Sequence, residues 1–488
     1  MSMRNPVFAL SKGPGSGALL GVAWLAFAVA AFPAGAQTLD QARAADAPYR
    51  SVLRWAEPTL GPSGVQAGVP ILLKDNIETA DMPTTAGSLA LAGNAPGRDA
   101  PLVTRLREAG YLIFGKANLS EWANIRSSNS ISGWSAVGGL TVNPYDQTRT
   151  ACGSSAGSAV AVAIGLAPVA IGTETNGSIT CPASVNGVVG FKPSVGLVSR
   201  THIVPISHSQ DTAGPVAATV VDAAKALTVI AGSDPADPAT AEADGRKVDY
   251  AAALDVNSLS GARIGVLRYA NGYSAPTMAV FEQSLQALKD AGAVLVDITT
   301  APDLRAIGSN SFKVLMYELK ADLDAYLAST DPDQVPTRTL ADLIAFNRQT
   351  PQETVLFGQE LFEQAQAKGD LTSQDYIDAR ANSFRLAGPE GIDKMMADNQ
   401  VVALIAPTTS RAWTHNRDDD DNAQGSTSTI AAVAGYPHLT VPMGFDRGMP
   451  VGLSFIAGKW DDAKVLSLGY AFEQKTQARR PPPVQPVE

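Results

Sequence analysis

Short apolar runs alternate with amphipathic segments over residues 65–298, and this alternation predicts an α/β fold. Residues 70–74 and 111–115 are apolar runs of the kind found in buried strands. Between them, Leu102, Val103 and Leu106 form one face of a predicted helix, which we expect Asp99 to cap and Gly110 to end. Repetition of strand, helix and strand favours a mixed or mostly parallel sheet.

The second half of the chain adds a helical segment to this pattern. Ser274 and Pro276 begin a predicted helix that ends at Gly292, and residues 293–298 predict the strand after it. Residues from about 300 to 400 differ, because 312–327 and 354–367 predict helices and strand signals are few. We expect a helical excursion there that forms a lid or a substrate wall. Strand-like runs return at 401–405, 439–443 and 451–456.

The first 36 residues have the pattern of an export signal. Arg4 and Lys12 precede an apolar run over 18–32, and Ala34-Gly35-Ala36 follows as a small-x-small cleavage site. These features predict a signal peptide over 1–36, cut after Ala36, and a periplasmic or secreted protein. The apolar run is shorter than the roughly 20 residues that a membrane-spanning helix needs. At the other end, residues 481–488 predict an extended, Pro-rich tail.

Composition narrows the classes of partner and cofactor. Of the 488 residues, 45% are hydrophobic and 17% charged, which excludes disorder for most of the chain. The net charge of −10 gives no electrostatic reason for binding nucleic acid, or a membrane once the signal is removed. Two cysteines cannot form a disulfide scaffold, and four histidines leave little for a metal cluster. We therefore predict no metal site.

A Gly/Ser segment at 153–158 (GSSAGS) is the densest chemical signal. A phosphate loop is one interpretation, but the Gly-Lys-Ser/Thr ending is missing. A nucleophile elbow centred on Ser155 is another, although the residues before it are polar and no strand leads into them; His415 or His438 would have to complete its triad. Small residues that only allow close helix packing are the third.

Two further segments favour hydrolytic chemistry. Residues 172–179 (GTETNGSI) follow an apolar run and place Ser178 after a glycine, where consecutive amides can surround a reacting carbonyl. Lys74 ends the apolar run 71–73, where partial loss of water favours the neutral amine and makes it a candidate base. No lysine has a serine three residues before it, which excludes Ser-x-x-Lys enzymes.

These segments together resemble the amidase signature family. The resemblance rests on Lys74-Asp75-Asn76, the Gly/Ser segment 153–158, and Ser178 placed 24 residues after Ser154, and it continues through 187–194, 209–215 and 435–444. Residues 173–182 (TETNGSITCP) are most similar to bacterial peptide amidases, which remove the C-terminal amide of peptides. Cys152 stands where a second glycine is usual, and Asn176 where aspartate or glycine is common.

The resemblance implies one large α/β domain over 37–480, with a mixed, twisted sheet covered by helices on both faces and the 300–400 excursion lining the substrate cleft. It also implies a Ser–cis-Ser–Lys mechanism without a cofactor. Ser178 would be the nucleophile, Ser154 the proton relay and Lys74 the base, with Ser155 in support. The N–H groups of Thr175, Asn176, Gly177 and Ser178 would form the oxyanion hole.

The expected substrate is a linear carboxamide, from a small molecule or the C-terminus of a peptide, hydrolysed with release of ammonia. Alternatives are an aryl- or fatty-acyl amidase of the same family and a catalytically inactive peptide-binding protein. The glutamine-hydrolysing component of a tRNA amidotransferase fits an exported chain poorly. Cys152 and Cys181 are compatible either with a disulfide or with two free thiols.

Overall fold

A mixed sheet of eleven strands forms the centre of the protein in the computed structural model, which describes residues 39–57, 68–415 and 425–483. The described residues form thirteen strands, of which all except β4 and β5 belong to this sheet: β1 (Val52–Trp55), β2 (Val69–Lys74), β3 (Tyr111–Ala117), β4 (Trp134–Ser135), β5 (Gly139–Leu140), β6 (Val169–Glu174), β7 (Val189–Lys192), β8 (Thr212–Ala217), β9 (Arg263–Leu267), β10 (Val294–Ile298), β11 (Ala403–Pro407), β12 (His438–Asp446) and β13 (Met449–Ile456). The predicted signal peptide and residues 484–488 of the predicted tail lie outside the described residues.

Helices flank and connect these strands. The α-helices are α1 (Leu39–Asp46), α2 (Pro101–Glu108), α3 (Ala156–Ala163), α4 (Thr180–Val185), α5 (Val220–Ile230), α6 (Ala243–Arg246), α7 (Ala275–Asp290), α8 (Leu304–Ala328), α9 (Leu340–Gln349), α10 (Pro351–Thr354), α11 (Glu360–Gln366), α12 (Gln374–Ala387), α13 (Lys394–Asn399), α14 (Ser428–Ala434) and α15 (Asp462–Thr476). Short 3₁₀ helices cover Leu89–Leu91, Glu121–Asn124 and Pro238–Thr240, and a π-helix covers Gly388–Asp393.

The strand order is β1-β3-β2-β6-β8-β7-β12-β13-β11-β9-β10, while β4 and β5 form a separate hairpin. Strand β2 runs parallel to both β3 and β6, and β9 runs parallel to β10 and β11. The pairs from β6 through β8, β7, β12 and β13 to β11 are antiparallel. The predicted mixed sheet is confirmed.

Helices cover both faces of this sheet because side chains alternate along each strand. Ile71 and Leu73 of β2 pack in one buried cluster with Leu102 of α2. Leu72, which lies between them, packs on the opposite face with Val162 of α3. The expected architecture, a single α/β domain with a layer of helices on each side, is the one observed. No helix in the described part of the chain is long and apolar enough to cross a membrane.

The segment between β10 and β11 is helical, as the sequence predicts. It contains α8 to α13, and α8 begins at Leu304, eight residues earlier than expected, after Asp303 accepts a hydrogen bond from the Ala306 N–H. An acidic cap side chain satisfies one of the free N–H groups in the first helical turn, which accounts for the earlier start.

Two local predictions are wrong. The helix expected over 354–367 is divided between α10 and α11. The carbonyls of Phe357 and Gly358, which a continuous helix would use, instead accept hydrogen bonds from the buried Arg126 guanidinium. Asp99 does not cap α2: Ala100 occupies the cap position, and the Asp99 carboxylate accepts from Arg107 and from the Ala80 N–H.

Candidate active site

Two parallel strands bring the predicted site residues to one edge of the sheet. Strands β2 and β6 pair in register, with Leu73 opposite Ile171, so that Lys74 and Thr173 lie at neighbouring carboxyl ends. Crevices at this edge of an open α/β sheet are where ligands generally bind. In the sequence, Lys74 stood out because it ends the apolar run 71–73. In the fold, the same residue lies at the carboxyl end of β2, at the edge where a ligand can bind.

Lys74 is fully buried and contacts the predicted relay serine directly. Its Nζ lies 2.6 Å from Ser154 Oγ, 2.8 Å from Thr173 Oγ1 and 3.2 Å from the Thr173 carbonyl oxygen. Burial lowers the pKa of the Lys74 ammonium to about 7, against the opposing effect of the Asp211 and Glu174 carboxylates. A substantial fraction of Lys74 is therefore the neutral amine near neutral pH.

The contacts of Thr173 orient this neutral amine, which has two N–H donors and one lone pair. The Thr173 carbonyl can only accept, and Thr173 Oγ1 also accepts from Asn76 Nδ2, at 3.0 Å. With both Lys74 N–H groups directed to Thr173, the lone pair faces Ser154 Oγ. The sequence singled out neither Thr173 nor Asn76 for a role, although both lie within the quoted motifs.

Ser154 and Ser155 lie in a tight loop before α3, and both are fully buried. The peptide bond between Gly153 and Ser154 is cis, as the family resemblance implies. A Cβ on Gly153 would lie 2.2 Å from Ser120 Oγ, so a larger residue would displace this hydroxyl from its hydrogen bond with the Gly133 N–H. Ser155 Oγ donates to the Thr173 carbonyl and accepts from the Thr173 N–H, which places Ser155 in support of the residue that orients Lys74.

Ser178 follows a turn whose amides are free. It retains 8% exposure, whereas Ser154 and Ser155 retain none, so a substrate can reach Ser178 first. Within the described ranges, the N–H groups of Thr175, Asn176, Gly177 and Ser178 donate to no protein acceptor. Gly177 has φ +81°, a conformation that favours glycine, and it shapes this turn. Four free donors beside a serine suit an oxyanion.

The buried carboxylate of Glu174 holds the other side of this turn. Its Oε2 accepts from the Ile179 N–H at 2.8 Å and the Thr180 N–H at 3.0 Å, at the beginning of α4. A disulfide joins Cys152 to Cys181 and so links the Ser154 and Ser178 segments covalently. The sequence left both thiol states open and did not identify Glu174, because these contacts depend on segments that meet only in the fold.

A backbone hydrogen bond joins the two segments that carry the predicted catalytic serines. The Ser155 N–H donates to the Ser178 carbonyl at 3.1 Å. Among the described residues, no hydrogen bond joins Ser178 Oγ to Ser154 Oγ; catalytic hydrogen bonds often form only when substrate is bound. The elbow interpretation loses support, because Ser155 is enclosed and His438 contacts Ser454, at 2.6 Å, on strand β13.

A cavity of about 340 Å³ adjoins this site. Thr173 and Thr175 line it on the active-site side, and Asp322 and Ala325 of α8 line it on the side of the helical excursion. Neither Ser154 nor Ser178 is among its lining residues, so it lies next to the reacting groups rather than over them. Desolvation raises the pKa of Asp211, another lining residue, to about 6.

Comparisons with known proteins agree with this geometry. The family model described as Amidase matches residues 31–466. The solved structure of native peptide amidase from Stenotrophomonas maltophilia is similar, with 50% identity, a TM-score of 0.84, and coverage of 91% of this chain and 93% of that chain. A probable amidase from Arabidopsis thaliana is 39% identical over 425 residues, which are 85% of this chain and 78% of the relative.

A more distant relative shares most of the chain as well. One component of the glutamyl-tRNA(Gln) amidotransferase from a Synechococcus strain is 34% identical over 459 residues, covering 92% of this chain and 85% of the relative. The family match over 31–466 includes the buried lysine, both serine segments and the sheet that positions them. The chain belongs to the amidase signature family and is an amidase.

Proposed function

We propose that this amidase removes the C-terminal carboxamide of peptides and releases ammonia, through an acyl-enzyme on Ser178. The observation that carries the proposal is the 2.6 Å hydrogen bond between buried Lys74 Nζ and Ser154 Oγ, next to the free amides of the Ser178 turn. A serine hydroxyl needs a base to become a nucleophile, and a lysine with a pKa of about 7 can act as one.

In the first half of the reaction, Ser178 Oγ attacks the carboxamide carbon and its proton passes to Ser154 Oγ. Ser154 transfers its own proton to the lone pair of Lys74. The carbonyl oxygen becomes an oxyanion, which accepts hydrogen bonds from the N–H groups of residues 175–178. The C–N bond then breaks as the proton held by Lys74 returns through Ser154 to the nitrogen, and ammonia leaves.

In the second half, water attacks the acyl-enzyme ester. The same pair removes a proton from the water, and the Ser178 oxygen recovers a proton when the ester bond breaks. Lys74 thus ends each turnover neutral, as it began. All proton transfers in this scheme use side chains of the protein, so the proposed mechanism requires neither a cofactor nor a metal.

The identity to the Stenotrophomonas peptide amidase, 50%, supports a peptide amide as the substrate over the amidotransferase activity of the 34% identical relative. We expect ammonia release from peptide amides with kcat/KM at least about tenfold above that for free amino-acid amides or anilides, since even one methylene group that fills a hydrophobic pocket contributes roughly 10- to 200-fold in discrimination. The measurement is coupled detection of ammonia, and of aniline for the anilides, with a Ser178→Ala preparation as the control for contaminants. Faster turnover of anilides or simple amides would contradict peptide specificity while leaving the amidase activity intact.

We further propose that the protein is exported and begins at Gln37 in its mature form. The pattern of Arg4, Lys12, the apolar run and the Ala34-Gly35-Ala36 site supports cleavage, and the disulfide between Cys152 and Cys181 is typical of an oxidising compartment. Expression of the full chain in a bacterium should yield a periplasmic or medium fraction whose N-terminal sequence starts at Gln37. An Ala36→Arg variant should remain uncleaved. An intact N-terminus in the cytoplasmic fraction of the unaltered protein would refute the proposal.

A further inference from the structure

Thr175, the first residue of the turn with free amides, is held by two neighbours in one loop. Gln210 Nε2 donates to the Thr175 carbonyl oxygen at 3.2 Å, and Thr175 Oγ1 donates to Asp211 Oδ1 at 2.5 Å. Gln210 is 2% exposed. Within the described ranges, neither side chain forms a hydrogen bond with Ser178 or Ser154, so the catalytic scheme above does not use them.

The bond from Gln210 has a consequence for the next residue. The Thr175 carbonyl and the Asn176 N–H belong to the same planar, trans peptide unit and point in opposite directions. Fixing the direction of the Thr175 oxygen therefore fixes the direction of the Asn176 N–H, one of the four candidate oxyanion donors. Asp211 anchors the same unit from the Thr175 side chain.

The loop that carries Gln210 and Asp211 is closed on itself by the Asp211 carboxylate. Asp211 Oδ2 accepts from the N–H groups of Ile206 and Ser207, at 2.7 and 2.9 Å. The same carboxylate thus binds its own loop with one oxygen and Thr175 with the other. A change in the loop would move Thr175 with it.

Helix α8 holds this loop from the side of the helical excursion. Gln210 Oε1 accepts from Ser311 Oγ at 2.8 Å. The buried Glu318 carboxylate accepts from the Ser209 N–H at 3.1 Å and from the hydroxyls of Ser207 and Ser209. A continuous series of hydrogen bonds therefore runs from α8 through the loop to the Thr175 peptide unit.

We propose that Gln210 is a positioning residue for the oxyanion loop, with Asp211 as its second anchor, and that α8 sets the catalytic geometry through them. The inference rests on the oxyanion role proposed above for residues 175–178. An oxyanion donor acts most strongly in the transition state, so misdirecting the Asn176 N–H lowers kcat and leaves substrate binding nearly unchanged.

The test is Gln210→Met, which keeps the length of the side chain and removes both the donor and the acceptor. We expect kcat to fall by about 10- to 100-fold, somewhat less than the loss of a whole oxyanion donor, with KM changed by less than about threefold. The matched control is Gln359→Met. Gln359 is also buried and its Nε2 donates to a backbone carbonyl, that of Ile344, at 3.2 Å, but it lies among α9 and α11. The kcat of the Gln359→Met variant should equal that of the wild type.

Inhibitor binding separates positioning from a general structural effect. The probes are the aldehyde and the alcohol analogues of whichever amide the wild type hydrolyses fastest. Addition of Ser178 Oγ to the aldehyde carbon breaks the carbonyl π bond and places the former carbonyl oxygen at the amides, whereas the alcohol cannot react. In Gln210→Met, aldehyde affinity should fall by the same factor as kcat, and alcohol affinity should not change.

Wild-type kcat in Gln210→Met, or equal losses for aldehyde and alcohol, would overturn the inference. If that variant does not fold, Thr175→Val, which breaks only the contact with Asp211, must show the same split between aldehyde and alcohol. A wild-type enzyme that binds the aldehyde no better than the alcohol would instead refute the proposed oxyanion loop. The failure of the inference and the failure of the proposed function therefore give different results.

Discussion

Replacing Ser178 with alanine is expected to abolish amide hydrolysis, with kcat falling by about 10⁶-fold, the loss typical of removing a hydrolase's nucleophilic serine. Of Ser154, Ser155 and Ser178, Ser178 is the only one with any exposed surface. It directly follows residues 175–177, whose N–H groups, like its own, donate to no acceptor in the described part of the chain. Without its Oγ, no acyl-enzyme can form. Ammonia release measured on the best substrate, with mass spectrometry for a trapped acyl-enzyme in the wild type, tests this expectation.

The neighbouring serines provide the controls for Ser178→Ala. Ser154→Ala removes the group that Lys74 contacts at 2.6 Å, and we expect it to be nearly as damaging. Ser155→Ala should be milder, because among the described residues Ser155 Oγ forms hydrogen bonds with the backbone of Thr173 alone. If Ser155→Ala were the most damaging of the three, the nucleophile would be Ser155 and the elbow interpretation would return.

The sequence predicted the parts of the site that have local signals. Lys74 ends an apolar strand, and Ser154 and Ser178 lie in short Gly-rich segments, so each is visible without knowledge of the fold. In the sheet, β2 and β6 are parallel neighbours, which places Lys74 beside the segment that leads to Ser178. Family resemblance connected the three residues, because spacing along the chain does not show that distant segments meet.

What the sequence could not predict depends on contacts between distant segments. Gln210 donates to the Thr175 carbonyl from another loop. Glu174 has no distinguishing signal in the sequence, and its role becomes visible only in the structure, where it accepts from two N–H groups at the beginning of α4. The broken helix between α10 and α11 has the same cause. The apolar periodicity of 354–367 is typical of a helix. The buried Arg126, more than 230 residues earlier, donates to the Phe357 and Gly358 carbonyls, which a continuous helix would need for its own hydrogen bonds.

Lys74 should control the pH dependence of the enzyme. The base must be neutral to accept a proton, and burial lowers its pKa to about 7. The rate therefore should fall about tenfold per pH unit well below pH 7 and level off above it, as protonation removes the active form. In Lys74→Met this rise near neutrality should disappear. The loss of rate at pH 8 should reach about 10²- to 10⁴-fold, the usual contribution of a general base, and the residual rate should increase only as hydroxide accumulates.

Lys192→Met is the matched control, because Lys192 is also fully buried and burial lowers its pKa to about 8. Its Nζ donates to the Pro193 carbonyl and does not contact Ser154. The variant should therefore keep the rise near pH 7. If the rise were lost in Lys192→Met and kept in Lys74→Met, the titrating base would be Lys192, and the role proposed for Lys74 would be wrong. The reverse result would place the titrating amine at the carboxyl end of β2, beside the relay serine, where the parallel pairing of β2 with β6 brings it to the Ser178 turn.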